Sequence, residues 1–254
     1  KKIKKNDEIF FFESLRAIVY SIKIEKNQVS ILLKFNVSFS KLNEIIEMFG
    51  RMPVPPYIQK RGSMKSDFED YQSIFAKKQG AVAAPTASLH FTDKLIKDLK
   101  KKKVKMVEIT LHINGGTFLP IKTENVLEHN MHFENGVISY KSANIINKTK
   151  KEGGRIIAVG TTVLRLLESA KDSNGFIKPF NGDTNIFIKP GYNINTIDGL
   201  ITNFHTPKST LLLLVYSLLG KEKTKSLYKF AIKQKLRFFS YGDACLIWNN
   251  NAKV

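Results

Sequence analysis

The chain has 254 residues and is 43% hydrophobic, enough for one large domain or two modest ones around a real core. Its formal net charge of +19 points to a polyanionic partner only slightly more than to codon bias, since Lys, Asn and Ile are abundant together, as AT-rich genomes encode. A single cysteine, Cys245, excludes an intrachain disulfide, and the most apolar run, Leu211 to Leu219, is about half of the roughly 20 residues a spanning helix needs.

The N-terminal KKIKKNDEIFFFES is basic, but Glu13 and Arg16 break its apolar part and no small-residue cleavage pattern follows, so it is not read as a signal peptide. These features predict a soluble protein and fit a reducing cytosol. The first 35 residues read as strands, with 17–25 and 28–35 flanking a Lys26-Asn27 hairpin turn. A helix follows, capped by Ser40, with Leu42, Ile45, Ile46 and Phe49 on one face and Gly50 at its end. The prolines of MPVPPYI favour a stiff connector, and a domain boundary is placed near residue 50.

Ser66 and Glu69 form a capping box for a second helix reaching Gly80, with Phe68, Tyr71 and Phe75 on one face. Thr92 caps a third helix, DKLIKDLKKK. From Val107 to Ile113 the residues alternate as in a half-buried strand. Arg155 to Val159 reads as a short strand, with a turn at Gly160-Thr161-Thr162 and a helix after it. Asn185 to Ile188 reads as another strand. Ser209 or Thr210 caps a helix that is apolar all round and therefore buried. A basic helix covers about 221–235, and RFFSYGDACLIW closes the fold. Strands alternating with helices predict an α/β domain over 50–248, after a β-rich segment 1–49 with its return helix and before a tail, 249–254.

Five histidines, His90, His112, His129, His132 and His205, sit beside small or turn-forming residues, a setting in which acid–base roles become more frequent. His129 and His132 lie between Glu128 and Glu134. With no Cys partner and no HExxH this is a weak metal motif, and an acid–base His/Glu pair or a structural turn are the stronger readings. In HINGGTF, Gly115 and Gly116 let backbone N–H groups approach a ligand, as a plain turn also would. Gly160-Thr161-Thr162 opens a helix whose first N–H groups suit an anion, though a plain N-cap needs only one Thr. Neither matches GxxxxGK[ST] or GxGxxG. Cys245 reads as core rather than nucleophile, and Trp248 as a packing residue.

Eight runs taken together resemble the S-adenosylmethionine:tRNA ribosyltransferase-isomerase family of queuosine biosynthesis. They are GRMPVPPYI (50–58), DFEDYQSIFAKKQGAVAAPTASLHFT (67–92), HINGGTF (112–118), HNMHFE (129–134), GGRIIAVGTT (153–162), IFIKPGY (186–192), DGLITNFHTPKSTLLLLV (198–215) and RFFSYGDACLI (237–247). They follow the family's order and contain all five histidines.

The resemblance implies an α/β domain carrying an inserted β-barrel domain, whose C-terminal remnant would be residues 1–49. It implies a cytoplasmic, monomeric transferase that needs no metal and no membrane. S-adenosylmethionine is the cosubstrate, and tRNA carrying 7-aminomethyl-7-deazaguanine at the wobble position is the partner. The products are epoxyqueuosine-tRNA, adenine and methionine. For that chemistry His90, His112, His132 and Glu134 are the acid–base candidates. Gly115, Gly116, Thr117, Gly160, Thr161 and Thr162 would shape the cosubstrate pocket, and Arg51, Arg61 and Lys208 would meet tRNA phosphates.

The chain departs from the family at Ser88 and Asn114, where Gly is usual, and at Asp70 and Thr206. Ser88 and Asn114 are expected to narrow the pocket. The chain is also expected to begin inside the inserted β domain, which makes a tRNA-binding remnant without turnover the alternative. A methyltransferase would show a Gly-rich loop after its first strand and an acidic residue at the next strand end, and neither is present.

Overall fold

The computed structural model describes residues 2–12, 15–25, 28–52, 54–55, 58, 66–78, 80–81, 83–113, 131 and 133–249. The chain divides into two compact units, Lys1–Met52 and Pro53–Val254. No helix among the described residues is long and apolar enough to cross a membrane.

In the first unit β1 (Glu8–Phe12), β2 (Leu15–Glu25) and β3 (Gln28–Phe35) form an antiparallel sheet in that order. Along β2, Leu15, Ala17 and Val19 are buried while Ile18 and Tyr20 are exposed, the two-residue period of a pleated strand. Glu25 pairs with Gln28, as the hairpin reading requires; Lys26-Asn27 lies outside the described residues. Helix α1 (Phe39–Phe49) is capped by Ser38 rather than Ser40. Ser38 is extended, and its hydroxyl accepts the Lys41 N–H at 3.3 Å, whereas Ser40 already lies within the helix. Gly50 ends α1 by donating its N–H to the Ile46 carbonyl at 2.8 Å. A Cβ there would sit 2.3 Å from that oxygen.

The second unit is mixed α/β. One sheet is antiparallel, β4 (Thr110–His112), β5 (Glu134–Ile138) and β7 (Phe180–Thr184). In the other, β6 (Ile157–Val159) and β8 (Gly199–Asn203) run parallel, and β9 (Ala244–Trp248) pairs antiparallel with β8. Helix α5 (Thr161–Ala170) touches strands of both sheets and buries Leu164, Leu166 and Leu167 almost completely. Opposite Leu166, Gly136 leaves no room for a side chain, because a Cβ there would come within 2.5 Å of a Leu166 methyl. Helices α3 (Asp93–Lys101), α4 (Tyr140–Lys151), α6 (Thr210–Leu219) and α7 (Lys221–Lys233) complete the unit. Thr92 caps α3, Ser139 caps α4 and Ser209 caps α6, each accepting an N–H three residues on.

The structure corrects several expectations. The helix expected over 66–80 is a single turn, α2 (Asp67–Asp70), and Ser66 makes no side-chain cap. The Ser73 hydroxyl accepts the Phe75 N–H at 3.2 Å, a local turn that competes with helix continuation. Asp67 and Tyr71 are drawn inward, where the Tyr241 hydroxyl donates to Asp67 and the two tyrosine rings meet edge to face. The strand expected at 185–188 lies earlier, at β7, where it registers with β5. Helix α4 and strand β8 have no counterpart among the expected elements. Asn249 belongs to the fold rather than the tail: it is 6% exposed and its amide donates to the carbonyls of Ile194 and Ile197. Trp248 is 41% exposed and packs its ring beneath the Arg155 guanidinium. Helix α6 buries Leu214, Val215 and Leu218 but is only partly covered elsewhere.

Candidate active site

The parallel pair β6 and β8 ends on one edge of its sheet. Val159 registers with Ile201, and the Gly160 N–H donates to the Ile201 carbonyl at 2.9 Å. In α/β sheets ligands bind outside the carboxyl ends of parallel strands, where loops diverge and helix N-termini point outward. Here β6 leads through Gly160 into α5. Gly160 has φ +97, a left-handed value that a side chain would strain. Thr161 and Thr162 follow in the first turn, both buried.

From the neighbouring strand end come Thr202, Asn203 and His205. Asn203, buried at 3% exposure, joins three segments. Its Oδ1 accepts from the Thr86 hydroxyl at 3.1 Å, and its Nδ2 donates to the Gly242 carbonyl at 3.3 Å and approaches His90 Nε2 at 3.4 Å. Thr86–His90 is a 3₁₀ turn that docks on β8. His90 itself is exposed, with one ring nitrogen held by Asn203. Sequence reasoning missed Asn203, although it lies inside the NFH run.

The segment 80–92 links this edge to the other sheet. At its start Ala83 N–H reaches the Ile113 carbonyl, and Gly80 (φ +125) lies so close to His112 that a Cβ would come 2.9 Å from Nδ1. That nitrogen is buried and has no hydrogen-bond partner among the described residues. Ser88, expected to narrow the pocket, instead turns inward. Its hydroxyl donates to the Pro85 carbonyl and meets the Ser73 hydroxyl at 2.8 Å, and the residue is 4% exposed.

Of the described acid–base candidates, His112 and Glu134 lie on opposite faces of one sheet. His112 registers with Asn135, so the two share a sheet face, and the Asn135 amide donates across that face to Asp183. Glu134, next in line, points to the opposite face together with Gly136 and Ile138. There its carboxylate accepts from Arg165 Nη1 at 2.7 Å, with the two side chains 2% and 4% exposed. Arg165, on α5, also donates to the Ile186 carbonyl through Nε at 3.3 Å. Arg165 was not among the expected site residues.

His205 is half-buried, and its Nε2 lies 2.8 Å from the Thr202 hydroxyl. Burial pushes its pKa down to about 4, so it is neutral at physiological pH. Burial likewise pushes the Tyr228 hydroxyl up to about 12 and the Cys245 thiol to about 11, which leaves that cysteine a poor nucleophile. His129, His132, Gly115, Gly116, Thr117, Asn114 and Arg61 lie outside the described residues. Arg51 and Lys208 are exposed, the latter just before the Ser209 cap. A cleft of about 550 Å³ opens elsewhere, between Pro190-Gly191 and the α6–α7 junction, and its described lining includes no histidine or carboxylate.

Comparison with known proteins identifies the lineage. Residues 1–247 match the model of a family described as queuosine biosynthesis protein. The S-adenosylmethionine:tRNA ribosyltransferase-isomerase of Zymomonas mobilis is 50% identical over 97% of this chain and 71% of its own length. That of Rickettsia bellii is 47% identical over 98% of this chain and 69% of its own length. The crystal structure of the S-adenosylmethionine tRNA ribosyltransferase from Thermotoga maritima superposes with a TM-score of 0.52 at 29% identity. It aligns with 97% of this chain, which spans 66% of that one. The chain belongs to the queuosine biosynthesis family of S-adenosylmethionine:tRNA ribosyltransferase-isomerases, a family of transferases.

Proposed function

We propose that this chain transfers and isomerises the ribosyl group of S-adenosylmethionine onto the 7-aminomethyl-7-deazaguanine base at the tRNA wobble position. The products are epoxyqueuosine-tRNA, adenine and methionine. The observation that carries the reading is its relatives' shared name at 45–50% identity over nearly the whole chain. The net charge of +19 suits a tRNA partner.

The reaction asks for three things. The carbon beside the sulfonium must lose a proton to a base, the departing adenine must be met by a donor, and the cosubstrate's polar ends must be held by fixed dipoles. His90, His112, His132 and Glu134 are the proton-handling groups of this reading. Gly115, Gly116, Thr117, Gly160, Thr161 and Thr162 form the cradle, the last three through the α5 N-terminus at the β6–β8 edge. Arg51, Arg61 and Lys208 meet phosphates. Residues 1–49 are read as the C-terminal part of an inserted β-barrel domain, and the enzyme as a cytoplasmic monomer that works without a metal.

The test is incubation with S-adenosylmethionine and tRNA carrying the deazaguanine precursor. Adenine release that depends on the modified tRNA supports the reading. S-adenosylhomocysteine as product would make the chain a methyltransferase, and tRNA retention without adenine would make it a binding protein.

A further inference from the structure

The hydrogen bonds of Asn203 fix more than its own position. The Gly242 carbonyl, 3.3 Å from Nδ2, can only accept. Turning the amide over would set Oδ1 against that oxygen in a buried place, acceptor against acceptor. Oδ1 therefore faces Thr86, whose hydroxyl donates to it at 3.1 Å. The second Nδ2 hydrogen is left for His90 Nε2 at 3.4 Å. A ring nitrogen that meets an amide N–H has to present its lone pair, which places the imidazole proton on Nδ1.

We propose that Asn203 is a positioning residue that holds His90 as its neutral Nδ1–H tautomer, so that His90 meets its ligand as a hydrogen-bond donor rather than as a base. The inference rests on the reading of His90 as a group that faces the cosubstrate. A neutral imidazole N–H polarises an acceptor without surrendering its proton, which suits a ring nitrogen of the departing adenine. It also removes His90 from the residues that take the proton beside the sulfonium and leaves that step to His112, His132 or Glu134. Asp243 is a charged group within electrostatic range of His90. Its carboxylate is occupied by Arg237, accepting the backbone N–H at 2.7 Å and Nη2 at 3.0 Å.

Long-range 1H–15N spectra of the histidine rings, with His90 assigned through H90Q, read the tautomer directly. At slightly alkaline pH the wild-type ring is expected to show a protonated Nδ1 and a bare Nε2. N203D sets a carboxylate oxygen against Nε2 and is expected to move the proton there. T86V keeps the Gly242 bond and is expected to keep the Nδ1–H form. A wild-type ring protonated on Nε2 overturns the proposal. So does a folded N203D that retains the Nδ1–H form, or a T86V that loses it. If N203D does not fold, the wild-type and T86V spectra decide.

These spectra need no turnover, so absent adenine release would sink the functional reading alone, and a wrong tautomer beside normal release would sink this inference alone. In an active enzyme N203D is expected to lower kcat for adenine release on the order of 10²-fold while KM for S-adenosylmethionine changes less than about threefold.

Discussion

The Arg165 guanidinium and the Glu134 carboxylate meet at 2.7 Å with both side chains almost wholly out of water. The pair ties the start of β5 to the middle of α5, the helix that touches both sheets. A buried ion pair gains little over a well-packed apolar pair, but removing one partner strands the other charge in a low-dielectric interior. R165M alone or E134L alone is therefore expected to cost about 3 to 5 kcal/mol of unfolding free energy, with the double variant recovering most of it. Urea unfolding of the four proteins measures the cycle, and additive losses would show that the pair is not coupled. The same arrangement bears on Glu134 as a base. Protonating it would leave Arg165 uncompensated, so loss of activity in E134Q should come with loss of stability.

Elements whose signals are local were legible in the sequence. The hairpin around Lys26-Asn27, the Thr92 cap, the cap placed at Ser209 or Thr210 and the strand–Gly-Thr-Thr–helix corner at Gly160 each lie within a few residues of the feature they define. Strand β8 was missed because GLITN has only Leu200 and Ile201 as large apolar residues, too few to show a period until its pairing with both β6 and β9 is known. The 66–80 helix was overread because its apolar spacing outweighed the Ser73 turn and the inward pull on Tyr71. Asn203 sits in the NFH run, but nothing local there marks its role. What makes it notable is a bond to Thr86, 117 residues earlier, and one to Gly242, 39 residues later. Arg165 looked like any helix arginine until the fold brought Glu134 beneath it.

His205 sets an acid limit on stability. Its folded pKa of about 4 lies below the ordinary 6.5. As pH falls through 6.5 the unfolded chain takes up a proton that the folded chain refuses, so stability declines from 6.5 down to about 4 and then levels off. The part due to this half-buried ring is roughly 2 kcal/mol. H205N, which preserves a polar partner for Thr202, is expected to flatten the unfolding free energy over that window. An unchanged slope would assign the decline to other groups.

Glu168 is a structural staple whose loss should be felt far from the β6–β8 edge. Its fully buried carboxylate accepts from the Tyr192 hydroxyl, the Asn195 and Thr196 N–H groups and the Thr196 hydroxyl, and pairs with Lys171. Burial and this carboxylate together raise the Tyr192 pKa well above the usual phenol value. E168Q puts an amide donor among those donors and is expected to cost about 2 to 4 kcal/mol. Hydrogen exchange at Asn195 and Thr196 should accelerate by more than exchange in β5. Equal acceleration in both would mean that the loop and the sheet open together.

Gly160 is the position where backbone conformation and the proposed chemistry meet most closely. Its φ of +97 turns the chain from β6 into α5, and a Cβ would find 3.5 Å to the Thr162 hydroxyl, so the obstacle is the dihedral rather than space. G160A must either hold an alanine in that region at a cost of about 1 to 3 kcal/mol or relax the corner and swing the first N–H groups of α5 away from the β6–β8 edge. If the corner holds, thermal stability drops while S-adenosylmethionine affinity is kept. If it relaxes, affinity falls further than stability, because the donors are displaced without loss of core. The second outcome is expected, since the corner is held to β8 by backbone hydrogen bonding such as Gly160–Ile201, while α5 is fixed along its length by Leu164, Leu166 and Leu167. Calorimetric titration with S-adenosylmethionine beside a thermal melt separates the two. Unaltered affinity in a destabilised G160A would remove the α5 N-terminus from the proposed cradle.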